Sequence, residues 1–171
     1  MRKPCLVVVV TAIVQVAAVS AVAAGDEGDS RSEEVRAQVG RTMAAFAAMD
    51  VAAFKAGLAE DAVGFEMDLE NRPVRLGSRA EAGTYASEMF AQLKGMGARV
   101  ILDVNATECE VVSDLAYCTV EFDFRATMEN SEAMIQPSRN TVVLRRKDVG
   151  WEWAHWHSSL APAMPAANAG Q

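Results

Sequence analysis

Apolar residues recur at a helical period in the first half of the chain and at a strand period in the second, with the change near Arg99. Val35, Val39, Met43, Phe46 and Met49 make a single stripe, which predicts a helix over about Glu33 to Met49. Ser30-Arg31-Ser32-Glu33 has the spacing of a capping box at its start. Asp50 is a good N-cap for a shorter second helix, with Phe54 and Leu58 on its buried side and its end near Glu60-Asp61. Ala62 to Met67 reads as a short strand, and Leu69 to Ser78 as a polar connection holding Pro73 and Gly77. Ser78-Arg79-Ala80-Glu81 repeats the capping box and opens a third helix. Ala82, Tyr85, Ala86, Met89 and Leu93 share one face of it, and Gly95 and Gly97 end it.

Beyond Arg99 the pattern has a period of two. Arg99 to Val112 and Leu115 to Thr127 are long β-rich runs on either side of Ser113-Asp114, a two-residue turn. In the second run Ala116, Cys118, Val120, Phe122 and Phe124 make an apolar face, and Tyr117, Thr119, Glu121, Asp123 and Arg125 a polar one. A turn closed between Val112 and Leu115 places Cys109 directly opposite Cys118, as a non-hydrogen-bonded pair whose side chains approach closely. A disulfide is the expectation there, and two buried thiols the alternative. Met128 to Ser138 reads as a loop and Arg139 to Lys147 as another strand. Asp148-Val149-Gly150 then turns the chain into a last strand, Trp151 to Ser159. Strict alternation puts Trp151, Trp153, His155 and His157 on one face of it, and Glu152, Ala154, Trp156 and Ser158 on the other. On that pattern Trp156 points outward, toward a partner subunit. Ala161 to Gln171 is a Pro/Ala/Asn tail without period, expected to be disordered.

The N-terminus changes the picture of where the protein works. Arg2 and Lys3 precede an apolar run from Leu6 to Val14, and small residues follow through Ala24, the form of a secretory signal peptide over residues 1–24. Gly25 to Ser32 is expected to be a mobile lead-in, and residues 33–160 a single α+β domain. Cleavage after Ala24 removes Cys5, leaves the even pair Cys109 and Cys118, and lowers the formal charge from −7 to −9 by loss of Arg2 and Lys3. A periplasmic or secreted protein so acidic is expected to bind neither nucleic acid nor, once cleaved, a membrane.

Chemistry concentrates in the last strand, which carries every tryptophan and histidine of the chain. His155 and His157 project the same way, roughly 7 Å apart at Cα. They are candidates for acid–base catalysis, with Asp68 or Glu66 as the carboxylate partner. Two other roles stand beside that one: a structural role on the strand, and metal binding with a third ligand from Glu66, Asp68 or Asp123. No metal or cofactor is assigned. Trp153, Tyr85, Met89 and Met67 are candidate ligand contacts, in a pocket made greasy by Phe46, Phe54 and Phe90. Ordinary core packing accounts for the same residues. No P-loop, dinucleotide fingerprint or Gly-x-Ser-x-Gly elbow occurs.

The order of elements resembles a family. Met49-Asp50-Val51-Ala52-Ala53-Phe54 running into Ala59-Glu60-Asp61-Ala62-Val63, the helix opening Leu76-Gly77-Ser78-Arg79-Ala80-Glu81, the hairpin Val112-Ser113-Asp114-Leu115-Ala116 and the closing strand Gly150 to Ser159 are similar to the SnoaL-like domains of the nuclear transport factor 2-like superfamily, which includes ketosteroid isomerase. The resemblance covers about Glu33 to Leu160. It implies an α+β fold, a curved antiparallel sheet with the N-terminal helices on its concave face around a cone-shaped pocket, and a homodimer through the sheet. It implies no single activity. Glu66 or Asp68 stands only loosely where ketosteroid isomerase carries its base, and the first helix offers no tyrosine, so steroid isomerisation is not expected. Three functions remain: a pocket domain for a small, mainly apolar molecule; a cofactor-independent isomerase, cyclase or dehydratase; and a dimeric interaction module whose own side chains fill the pocket.

Overall fold

The computed structural model describes residues 23–128 and 134–161, with side chains from Ser30 onward within those ranges. The expected signal region lies outside the described residues up to its last two, and the expected tail outside them from residue 162.

Three helices precede or interrupt the strands: α1 (Ala23–Ala47), α2 (Val51–Ala56) and α3 (Arg79–Gly95). Helix α1 starts well before the expected Glu33. The Ser30–Glu33 box lies inside it, and residues 25–32, expected as a mobile lead-in, are helical. Its stripe is as the pattern requires, with Val35, Val39, Thr42 and Met43 buried against the sheet. Asp50 caps α2, its Oδ1 accepting from the Ala53 amide at 3.0 Å. The helix is shorter than expected, because Leu58 already belongs to the first strand. At α3 the capping box forms: Ser78 Oγ accepts from the Glu81 amide, and Glu81 Oε2 reaches back to the Gly77 amide.

The strands are β1 (Leu58–Met67), β2 (Pro73–Leu76), β3 (Arg99–Val112), β4 (Leu115–Thr127), β5 (Met134–Arg146) and β6 (Trp151–Leu160). They form one sheet in the order β2-β1-β6-β5-β4-β3. Every pairing is antiparallel except β1 with β6, which is parallel, so the sheet is mixed at that one junction. Strand β2 falls in the stretch expected as a polar connection; it is a four-residue edge strand that Pro73 can enter because its amide need not join the ladder. Strand β5 begins five residues before the expected Arg139 and takes in Pro137.

The β3–β4 hairpin has the expected register. Val112 pairs with Leu115 around Ser113, which adopts φ 58°, and Cys109 faces Cys118 in a disulfide. The bridge is on the helix-covered face, where Cys118 is fully buried. The core lies between this inner face and the helices, centred on Leu58, Val120, Val142, Leu144, Leu93 and the three tryptophans.

Candidate functional site

The last strand does not keep strict alternation. Leu144 pairs with Trp153, but Val143 pairs with His155, so Ala154 is an unopposed bulge residue. On the other side Leu58 pairs with Trp153 and Val63 with His155, so the same break appears against β1. The bulge reverses the phase of everything after it. Trp151 and Trp153 face inward before it, and Trp156 and Ser158 face inward after it. The rings of Trp153 and Trp156 lie 6.3 Å apart, and both residues are buried. His155 and His157 are turned to the outer face, where their rings flank Phe65 with centroids at 5.9 and 6.2 Å. The expectation that the histidines look into the pocket is therefore corrected, and so is the expectation that Trp156 looks out.

The inner face and the helices enclose a cavity of about 310 Å³, in the size range of small-molecule sites. The reading of a pocket filled by its own side chains does not hold. Trp153, Tyr85, Met89 and Met67 all stand in the cavity wall. Phe46 of α1, Phe54 of α2, and Phe122 and Phe124 of β4 add to its apolar lining, and Thr42 of α1 adds a hydroxyl-bearing side chain. Phe46 is held in place edge-on to Phe54 and Phe90, with centroids at 5.6 and 5.0 Å.

Two carboxylates named from the sequence reach this wall, and their environments differ. Asp68 directly follows β1 and builds the turn into β2. Its Oδ1 accepts from the amides of Arg72 and Glu70 at 2.8 and 2.9 Å, and its Oδ2 from Arg72 Nε at 2.7 Å. The Arg72 amide, then the Arg72 guanidinium and the Glu70 amide, hold its carboxyl below the ordinary range. Asp68 is an ionised structural acceptor with little capacity left for a substrate.

Glu66, two residues earlier on the inner face, is the opposite case. Burial pushes its carboxyl above the ordinary range, against the hydrogen bonds from Ser158, Trp156 and the Met67 amide. The Trp156 indole donates from Nε1 to Glu66 Oε1 at 2.5 Å. Gly64 makes this possible. It pairs with Trp156 across β1 and β6, and a Cβ there would lie 2.1 Å from an indole carbon. The indole can cross the strand to Glu66 only because that position lacks a side chain. Tyr85 stands nearby but is engaged: its hydroxyl donates to the Met67 carbonyl at 2.9 Å. Burial first, then the charges of Glu66 and Asp68, raise its pKa.

The structure thus separates the candidates. Glu66, Tyr85, Met67, Met89 and Trp153 converge on one cavity, and His155 and His157 do not join them. Because Glu66 faces inward, it cannot complete a metal site with the histidines. Among the described residues no group of three or more histidine, cysteine, aspartate or glutamate side chains is placed to hold a metal ion. Sequence reasoning missed Ser158 and Asn140 as cavity residues, and Trp156 as the inward-facing donor that reaches Glu66. Asn140 was legible on the inner side of β5; the other two were hidden by the bulge.

Residues 35–164 match the SnoaL-like domain family. No curated protein matches the chain. Among solved structures it is similar to an NTF2-like protein of unknown function from Pseudomonas putida, at 21% identity and TM-score 0.63, over 78% of this chain and 88% of that one. An NTF2-like protein with a cystatin-like fold from Novosphingobium aromaticivorans is 18% identical, TM-score 0.67, over 85% and 92%. A ketosteroid isomerase-like protein from Erwinia carotovora atroseptica is 17% identical, TM-score 0.60, over 77% and 98%. At these identities the likeness establishes the fold.

Proposed function

The chain belongs to the SnoaL-like domain family, and from that premise we propose that it is an exported pocket domain that binds a small, mainly apolar molecule. One observation carries this reading: an open cavity of about 310 Å³, walled by aromatic and methionine side chains, with a buried carboxyl, Glu66, on its inner strand face. Such a wall gains from burying apolar surface, at roughly 25 cal/mol per Å² removed from water, and the carboxyl supplies orientation. Export is supported by the signal-like N-terminus and by the Cys109–Cys118 disulfide, a bond that persists in oxidising compartments. No described helix is long and apolar enough to cross a membrane.

The test is mass spectrometry of material extracted from the exported protein, purified without refolding, with titration of tryptophan fluorescence against apolar probes. Bound cargo, or saturable quenching that Met89→Trp abolishes by filling the cavity, is the expected result. Absence of both removes the proposal.

A second reading is favoured by Glu66 itself. A carboxyl raised by burial in an apolar pocket holds a proton more tightly than a free one and can exchange it with a substrate, the task of an isomerase, cyclase or dehydratase that needs no cofactor. On this reading Glu66→Gln retains binding and loses turnover. Pairing of two copies through the outer sheet face belongs to the same proposal. Phe65, Ile101, Tyr117 and Ile135 are 40–51% exposed there. Sedimentation should give a dimer that Phe65→Lys dissociates, and a monomeric parent chain would dismiss it.

A further inference from the structure

Glu66 is one end of a polar line that crosses three adjacent strands. Ser158 of β6 shares the cavity wall with it, and Asn140 of β5 sits directly opposite Ser158. All three residues line the cavity. Asn140 is 7% exposed, and its Oδ1 has no partner among the described residues. Trp153 is 3% exposed, and its Nε1 has none either. Its ring lies 6.3 Å from that of Trp156, but it opposes Leu144, four residues along β5 from Asn140, so it stands apart from this pole. Buried polar atoms left unpaired are costly, and native proteins keep few of them. At the pole one acceptor, the Asn140 oxygen, therefore stands unused. The amide of Asn140 turns on a broad terminal torsion, so it can present its oxygen to a guest.

Charge narrows the class of guest. Among the described residues no lysine, arginine or histidine lines the cavity, whereas Glu66 and Asp68 do. A carboxylate or phosphate would lose its hydration and meet no cation. An ammonium group can donate to Asn140 but has no lone pair with which to accept from the Ser158 hydroxyl opposite it. Burial favours the neutral form of Glu66, and the oxygens of Asp68 are already bonded to Arg72 and the Glu70 amide, so a cation meets little free countercharge. A hydroxyl donates and accepts without charge.

We propose that the cavity selects an uncharged molecule with an apolar body and a hydroxyl group, seated with the hydroxyl at the Asn140–Ser158–Glu66 pole. This rests on the pocket reading above and adds the head group to it. The test uses the full chain and four probes with one apolar body: biphenyl, biphenyl methanol, biphenyl methylamine and biphenyl carboxylate, titrated by tryptophan fluorescence or calorimetry. The alcohol should bind about tenfold tighter than biphenyl, the value of one well-made hydrogen bond, and the carboxylate weakest. Asn140→Leu should erase the advantage of the alcohol, bringing it level with biphenyl measured on the same variant. Tightest binding by the amine or the carboxylate overturns the proposal, as does an alcohol advantage that survives Asn140→Leu, while biphenyl binding in either case leaves the pocket reading standing. Binding by none of the four removes the pocket reading and this inference together.

Discussion

Trp156 on β6 donates its indole N–H to the carboxyl of Glu66 on the neighbouring parallel strand β1, at 2.5 Å. The contact joins the closing strand to the buried acid of the cavity, and it opposes the rise that burial imposes on Glu66. Removing the donor while keeping an aromatic ring should let that rise grow. Trp156→Phe is expected to move the Glu66 pKa further up and to cost roughly 1–3 kcal/mol of stability through the lost bond and the smaller ring. Infrared or carbon-13 titration of the Glu66 carboxyl checks the first effect and urea unfolding the second. A carboxyl that titrates lower in the variant would contradict the role given to Trp156.

The same indole makes Gly64 irreplaceable. Ring carbons of Trp156 lie 2.1, 2.3 and 2.6 Å from where a Cβ would be, and a rigid bicyclic ring cannot bend away. Gly64→Ala should displace the indole, break the bond to Glu66 and cost at least about 1–3 kcal/mol. Gly40 is the contrast. It lies inside α1 with nothing within 4 Å of its would-be Cβ, so Gly40→Ala should stabilise the protein by roughly 0.5–1 kcal/mol. Denaturant midpoints of the two variants should fall on opposite sides of the parent.

Glu66 also leaves a mark on the pH dependence of stability. Its folded pKa is raised above the ordinary 4.5, so the folded state holds the proton more tightly than the unfolded chain. The contribution of Glu66 is therefore fully favourable below that ordinary value and is lost as pH rises through the raised one. Tyr85 from α3 and Asp68 from its own strand are the titratable groups sharing its wall, and α1, β5 and β6 present Thr42, Asn140 and Ser158. Asp68 and the exposed Asp61, which Arg145 holds below the ordinary range, run the opposite way and lose stability as pH falls. Comparison with Glu66→Gln removes those shared effects. The variant should match the parent near pH 4 and gain on it toward neutral pH. A difference that does not change with pH would mean that Glu66 is not protonated more readily in the fold.

Much of this arrangement was legible in the sequence, because local rules agree with the fold over most of its length. The stripe from Val35 to Met43, the Ser78 cap and the Val112–Leu115 turn each rest on neighbours three or four residues apart, and each forms as read. Orientation in β6 was not legible. One unopposed residue, Ala154, inverts the phase of all that follows, and an alanine carries no signal that distinguishes a bulge from a ladder position. That single shift sends the conspicuous histidines outward, turns Trp156 inward to Glu66 and brings Ser158 to the cavity. Strand β2 and the start of β5 were missed because Pro73 and Pro137 read as breakers, though the first sits at an edge and the second near a strand end.

The Cys109–Cys118 bridge ties strands that already face each other on the buried side of the hairpin. It closes a short loop of sequence separation 9, so its constraint on the unfolded chain is modest, about 2–3 kcal/mol. Reduction should lower the melting temperature by roughly 5–10 °C without abolishing the fold, since the core around Trp153, Leu144 and Val142 does not depend on it. The paired variant Cys109→Ala, Cys118→Ala should melt close to the reduced parent and be indifferent to reductant. Melts with and without dithiothreitol make the comparison. A parent protein whose transition ignores reductant, or free thiols at both positions by mass spectrometry under denaturing, non-reducing conditions, would show that the bridge is not present in solution.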